Sequence, residues 1–223
     1  MRPSSSPSDA VEEAGAPEQG LFDPVLAHGP VFGTTTSPAW LQAMLDAEAA
    51  LALALADVGA IPVAAAEEVA ALCDATRFDA ALIGSRAVDG GNPVIPLVAA
   101  LRAGVRAEAA EFVHWGATSQ DILDTAAVLV AQRSIAMILG DLDEAADIVA
   151  ELARAHRETP MAGRTLLQQA VPTTFGLVAA GWLTGLDSAA DRLRHVRDVR
   201  LAAQLGGAAG TLESFGAAGE QVV

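Results

Sequence analysis

The chain has 223 residues, 52% of them hydrophobic and 18% charged, with a formal net charge of -15 and a pI near 4.4. That length and apolar content allow a sizeable core in one or two domains and exclude disorder of the whole chain. The acidic balance excludes the cationic face that nucleic-acid phosphates require. All 13 basic residues are Arg, which excludes a Schiff-base lysine and the lysine of a P-loop.

Residues 1–20, MRPSSSPSDAVEEAGAPEQG, are rich in Pro, Ser and acid and lack a hydrophobic signal core, so they read as a floppy tail. Ser37 as cap and Pro38 at the first helical position open a helix that runs to about Val58, and Gly59 ends it. A second helix follows Pro62, and a third follows Phe78 as far as Asp89-Gly90-Gly91. Pro96 opens a short helix ending near Gly104, and Glu108 to Val113 form another. No segment shows β alternation, so the fold class is all-α.

From Ser119 to His156 there is no Pro and only Gly140, which predicts a single helix of roughly 50 Å. Val128, Ile135, Leu142 and Val149 repeat at sevens, and Ala131, Ile138, Ala145 and Leu152 repeat three residues later, the seam of a helix bundle. A second long helix starts near Thr173 or Thr174 and runs to about Leu205, with Phe175, Val178, Trp182, Ala189, Leu193 and Val196 as its stripe. Gly176, Gly181 and Gly185 on it read as sites of close packing. Two such helices cannot close a bundle alone, so an oligomer or a truncated protein is expected.

Cys73 is the only cysteine and lies on an apolar helix, which points to an inert thiol and a cytoplasmic setting. Arg192, Arg194, Arg197 and Arg200 alternate with Asp191 and Asp198 as an ion-paired helix face. The apolar runs are too short or too interrupted to cross a bilayer, the longest by Gln132 and Arg133, so no membrane partner is expected. His28, His156 and His195 show no ligand-like grouping, so no metal is expected.

The chemistry concentrates at His114–Thr125, HWGATSQDILDT, where polar, glycine-loosened residues enter the first turns of the long helix. Thr118 and Ser119 place two hydroxyls beside unpaired backbone N–H groups at the positive end of a helix dipole, a setting suited to a carboxylate. His114 supplies an imidazole, which can donate a hydrogen bond or exchange a proton. Asp121 and Asp124 read as helix caps or partners of an Arg from another subunit.

On HWGATSQDILDT, GRTLLQQAVPTTFG and GGAAGTLESFG, in that order, residues 21–223 resemble the fumarase/aspartase superfamily, and GNPVIPLVAALR ahead of them places the resemblance within its carboxymuconate-cycloisomerising branch. The resemblance implies a 21–118 N-terminal helical domain, a 119–223 first part of a central long-helix bundle, and a homotetramer whose active sites draw on three subunits. It implies cofactor-independent conversion of 3-carboxy-cis,cis-muconate to 4-carboxymuconolactone. As site residues it implies Thr118, Ser119 and Gln120 at one wall, Thr165, Gln168 and Gln169 at the opposite wall, Asn92 more weakly, and His114 and Thr165 beside Ser119 as candidates for the chemistry. Many members read GRTH where this chain has Leu166. A leucine moves no proton, which disfavours the alternative of a fumarate-releasing lyase of the adenylosuccinate or argininosuccinate type. The superfamily's Ser-rich loop has no counterpart here, so truncation ahead of it, and the alternative of an inactive assembly partner, are also expected.

Overall fold

The computed structural model describes Val25 and residues 29–222; the expected tail of residues 1–20, and His28, lie outside the described residues. A 3-10 turn at Pro30–Thr35 leads into α1, Ser37–Asp57. The N-cap is Thr36, one residue ahead of the expected Ser37: its backbone is extended and its hydroxyl accepts the Ala39 N–H, while Pro38 supplies a preset φ in the first turn. Gly59, at φ 74°, turns the chain out of the helix.

Helices α2 (Val63–Leu72), α3 (Ala80–Gly90) and α4 (Val94–Gly104) pack around α1. Leu45 and Leu55 of α1 meet Val69, Val94, Leu97 and Leu101 in a core from which water is excluded. Each such side chain contributes about 1.5–3 kcal/mol by leaving water. Helix α4 opens two residues before the expected Pro96, because Asn92 Oδ1 accepts the Val94 N–H at 2.8 Å and Pro96 falls in the first turn, where no N–H is needed. The expected helix at Glu108–Val113 is a single turn, α5 (Ala107–Ala110), after which the chain loops through His114.

Helix α6, Ser119–Ala155, is one helix of 37 residues, about 55 Å long. Its first turns bury Ile122, Ala126 and Val130 in the core. Farther along, the predicted seam from Val128 to Leu152 is only half-buried. The helix is tied to α1 by an ion pair between Arg133 and Asp46 and, through the preceding 3-10 turn, by a 2.6 Å hydrogen bond between the Ser134 and Thr34 hydroxyls.

An antiparallel hairpin then interrupts the otherwise helical chain: β1 (Pro160–Thr165) pairs with β2 (Gln168–Thr174), from Pro160 opposite Thr174 to Thr165 opposite Gln168. The sequence carried no strand signal for two reasons. Most of both strands is exposed, so nothing demands alternation. The two-residue turn is Leu166-Leu167, held at φ 36° and 64° where Asn-Gly is the usual choice.

Thr174 caps α7, Phe175–His195, its hydroxyl accepting the Leu177 N–H. Helix α7 runs back along α6. Of the three glycines read as packing sites only Gly176 is one: a Cβ there would lie 2.6 Å from the Ala153 carbonyl oxygen, whereas Gly181 and Gly185 face open space. Trp182, placed on the apolar stripe, is 52% exposed. The helix stops short of the expected Leu205, passing through a π turn at Val196–Arg200 into irregular chain. On this face Arg194 pairs with Asp143 and Asp191, and Arg197 with Asp198, in keeping with the ion-paired reading.

The last stretch returns to the start of α6. Phe215 is buried in the same core as α1, and α8 (Gly219–Val222) follows it, so the core crosses the expected division at residue 118. Helices α1 and α6 are, by length and composition, apolar enough to cross a membrane, contrary to the reading of α6 as too interrupted. Here half of that stretch of α1 is buried within the fold, and α6 carries the Arg133 ion pair.

Candidate functional site

The N-terminus of α6 is built around Asp121, a carboxylate only 2% exposed. Its Oδ2 accepts the Thr118 N–H at 2.9 Å, closing the first turn as a capping box does. The same oxygen accepts the Gly207 N–H at 2.9 Å, and Oδ1 accepts the Gly206 N–H at 3.0 Å. Asp121 therefore pins the glycine loop that follows α7 onto the tip of α6. Thr125 adds a second tie, its hydroxyl exchanging 3.0 Å hydrogen bonds with the Gln204 backbone. Phe215 closes the arrangement against Gly116, where a Cβ would sit 2.5 Å from the ring and φ is 80°. Asp121 thus caps α6, one of the two roles expected for it, and spends its remaining acceptor capacity on the Gly206 and Gly207 N–H groups of this same chain.

Beside this tip lies a cleft of about 300 Å³, lined by Ile95, Val98, Ala99 and Arg102 of α4 together with His114 and Ser119. Helix α4 supplies an apolar floor at 95, 98 and 99 and a guanidinium at 102, one face at helical spacing. Arg102 Nη2 donates to the Val113 carbonyl at 3.2 Å, and Arg102 forms no ion pair among the described residues. His114 sits at φ 59°, a left-handed backbone costly for a residue with a side chain. Its Nδ1 lies 2.6 Å from Oε1 of Glu48, whose side chain is fully buried in α1. Imidazole, hydroxyl and guanidinium converge on one cleft, a set of donors suited to a small organic acid.

Of the residues expected from sequence, His114 and Ser119 meet in this cleft, and Thr118 precedes Ser119 as the N-cap of α6. Gln120 is exposed and donates along the helix to Asp124 at 2.7 Å. Asn92 spends its side chain on starting α4. Thr165, Gln168 and Gln169 lie exposed at the tip of the hairpin, beyond the far end of α6, so this chain does not bring them to its own cleft. Sequence reasoning missed Arg102 and Glu48. The signal for Glu48 was present: it is the only charged residue in the stretch from Ala47 to Ala56.

Cys73 is an inert thiol in this structure. Burial, and then the carboxylates of Glu48 and Asp46, push it up to about 12 from an ordinary 9.0. No group of three or more His, Cys, Asp or Glu that could hold a metal ion occurs among the described residues.

A mostly helical scaffold with a donor-lined cleft of about 300 Å³ beside the start of a long helix is the frame in which the family is to be read. A family profile described as Lyase matches residues 27–223. The chain belongs to this lyase family, that of the fumarases and aspartases. It is 47% identical to nitrosuccinate lyase of Streptomyces davaonensis over 92% of its own length and 44% of the relative's. It is 46% identical to 3-carboxy-cis,cis-muconate cycloisomerase of Bradyrhizobium diazoefficiens over 88% of this chain and 44% of that one. The crystal structure of 3-carboxy-cis,cis-muconate lactonizing enzyme from Pseudomonas putida superposes with a TM-score of 0.86 at 38% identity, over 91% of this chain and 46% of that one. The chain therefore spans less than half the length of these relatives.

Proposed function

We propose that this chain contributes to a cofactor-independent cycloisomerase acting on 3-carboxy-cis,cis-muconate. The observation that carries the reading is the convergence of His114, Ser119 and Arg102 on one cleft at the tip of α6. The sequence and structural likeness to carboxymuconate-cycloisomerising enzymes supports it, as does Leu166 in place of a proton-moving histidine. In the reaction a substrate carboxylate oxygen bonds to one carbon of a conjugated double bond, and the π pair takes a proton at the neighbouring carbon. In ionised form one proton is drawn from the medium and one carboxylate charge disappears. Donors that hold the remaining carboxylates, Ser119 with Arg102, and an imidazole within reach supply what this step needs.

The site is completed by other subunits. Thr165, Gln168 and Gln169 reach a cleft only if a second copy lies alongside, bringing its hairpin to the tip of the first copy's α6. The apolar surface on α6 and α7 at Ile148, Leu177 and Trp182 gives that copy something to cover. Light scattering on the purified protein is expected to show a tetramer, and a monomer at all concentrations would end the composite-site reading.

The 47% identity to a nitrosuccinate lyase favours a second reading, elimination from a substituted succinate. The two are separated by the sign of an ultraviolet change in the longest reading frame that contains this chain. Cycloisomerisation removes conjugation and lowers the absorbance of added carboxymuconate. Elimination creates a conjugated acid and raises the absorbance of a substituted succinate that has no chromophore of its own in the fumarate band, nitrosuccinate being the one to add first. No change with any of them would leave the chain as an assembly partner without activity.

A further inference from the structure

Glu48 stands out among the ionisable groups. It lies in a run of alanines and leucines, with Leu45, Ala47, Leu51 and Ala52 around it on α1 all buried, and its own side chain is fully buried. One oxygen, Oε1, pairs with His114 Nδ1 at 2.6 Å. The other, Oε2, is buried and has no hydrogen-bond partner. Taking a carboxylate out of water costs several kcal/mol, and one partner with an orphaned second oxygen is a poor return in stability. A leucine would fill the position at lower cost. The partner is itself held in an unfavourable backbone conformation at φ 59°, and it lines the cleft with Arg102 and Ser119. Two costly features meeting at one hydrogen bond, at the wall of a cleft, mark a functional arrangement.

We infer that Glu48 is a positioning residue for this cleft, holding the His114 ring with its Nδ1–H on the carboxylate so that Nε2 is the atom that meets a substrate carboxylate. The chemistry follows from donor capacity. An ionised carboxylate only accepts, so Nδ1 carries its hydrogen whether the ring is neutral or cationic, and the exchangeable proton belongs to Nε2. Nε2 has no hydrogen-bond partner among the described residues. The ring cannot flip without breaking the 2.6 Å bond and leaving both Glu48 oxygens buried and unpaired. The inference rests on the proposed reading that the cleft receives a polycarboxylate, but it is tested separately from turnover.

The test uses the chain labelled with ¹⁵N-histidine, with the His114 ring assigned by its loss in His114→Asn. In the neutral ring, two-bond ¹H–¹⁵N correlations are expected to show Nδ1 protonated, the reverse of the form free histidine prefers. Titration with propane-1,2,3-tricarboxylate is expected to move the Nε2 signal. Glu48→Leu is expected to switch the ring to the Nε2–H form and abolish the response to the tricarboxylate, while melting no lower than the parent. Glu48→Gln, whose amide oxygen still accepts, is expected to keep the Nδ1–H form. In an active full-length protein Glu48→Leu is expected to lower kcat by about 10- to 100-fold, with KM changing far less, and Glu48→Gln to restore part of it. A parent ring in the Nε2–H form, a Glu48→Leu ring still in the Nδ1–H form, or an Nε2 signal unmoved by the tricarboxylate would overturn the inference even if muconate is turned over. If the tricarboxylate moves Nε2 and muconate is inert, the proposed reaction fails and the positioning role stands.

Discussion

Asp121→Ala tests how the site is held together. Three backbone N–H groups, those of Thr118, Gly206 and Gly207, end on this one carboxylate. Both glycines are buried and Thr118 is half-buried, so water can replace the acceptor for Thr118 alone. Each buried N–H left without an acceptor costs about 1–3 kcal/mol, which for the two glycines puts the loss at about 2–6 kcal/mol. Asp121→Asn separates charge from geometry. Its carbonyl can take the Oδ2 position and keep Thr118 and Gly207, but its NH₂ then faces the Gly206 N–H, donor against donor, at a cost of about 1–3 kcal/mol. Urea unfolding followed by circular dichroism gives both values. Limited proteolysis is expected to open the chain between Leu201 and Leu212 in the variants before the rest unfolds, because the loop loses its anchor while α1 to α4 keep their core. Variants within about 0.5 kcal/mol of the parent, with the loop equally resistant, would refute the account of Asp121 as the tie between α6 and the glycine loop.

Gly176→Ala is expected to lower the melting temperature substantially, since the added Cβ meets backbone atoms of Ala153, His156 and Arg157 within 2.7 Å, whereas Gly181→Ala, in open helix, is expected to stabilise by about 0.5–1 kcal/mol. Cys73 is expected to alkylate roughly a thousandfold more slowly than a free thiol at pH 8, as a thiol pushed up to about 12 from 9.0 implies; the folded form holds its proton more tightly, so stability should be complete below pH 9 and fall as pH rises from 9 towards 12. Mass spectrometry after timed iodoacetamide treatment reads the rate, and alkylation at the free-thiol rate would contradict the burial. Ser119→Ala is expected to lower kcat/KM for carboxymuconate by about 10²-fold in the full-length enzyme, with the melting temperature little changed; unchanged kinetics would remove Ser119 from the site.

Much of this architecture is local chemistry and was readable from residues alone. The 3.6-residue period, the absence of Pro from 119 to 155 and the capping residues at Thr118 and Thr174 define the whole of α6 and the start of α7 within a residue or two, because helix boundaries depend on neighbours a few positions away, whereas α7 ends at His195, well before the expected Leu205. That Thr118 and Ser119 stand at the start of α6 was legible for the same reason. What the tertiary structure decided are the contacts between residues distant in sequence, 66 positions apart for Glu48 and His114 and 85 for Asp121 and Gly206. No local preference encodes whether a buried acid will find an imidazole or a backbone N–H, since that depends on how separate helices pack. The hairpin at 160–174 shows the limit from the other side. Its strands are mostly exposed and its turn is Leu-Leu, so neither burial nor turn residue announces it, and only the return of the chain from α6 to α7 gives it a place.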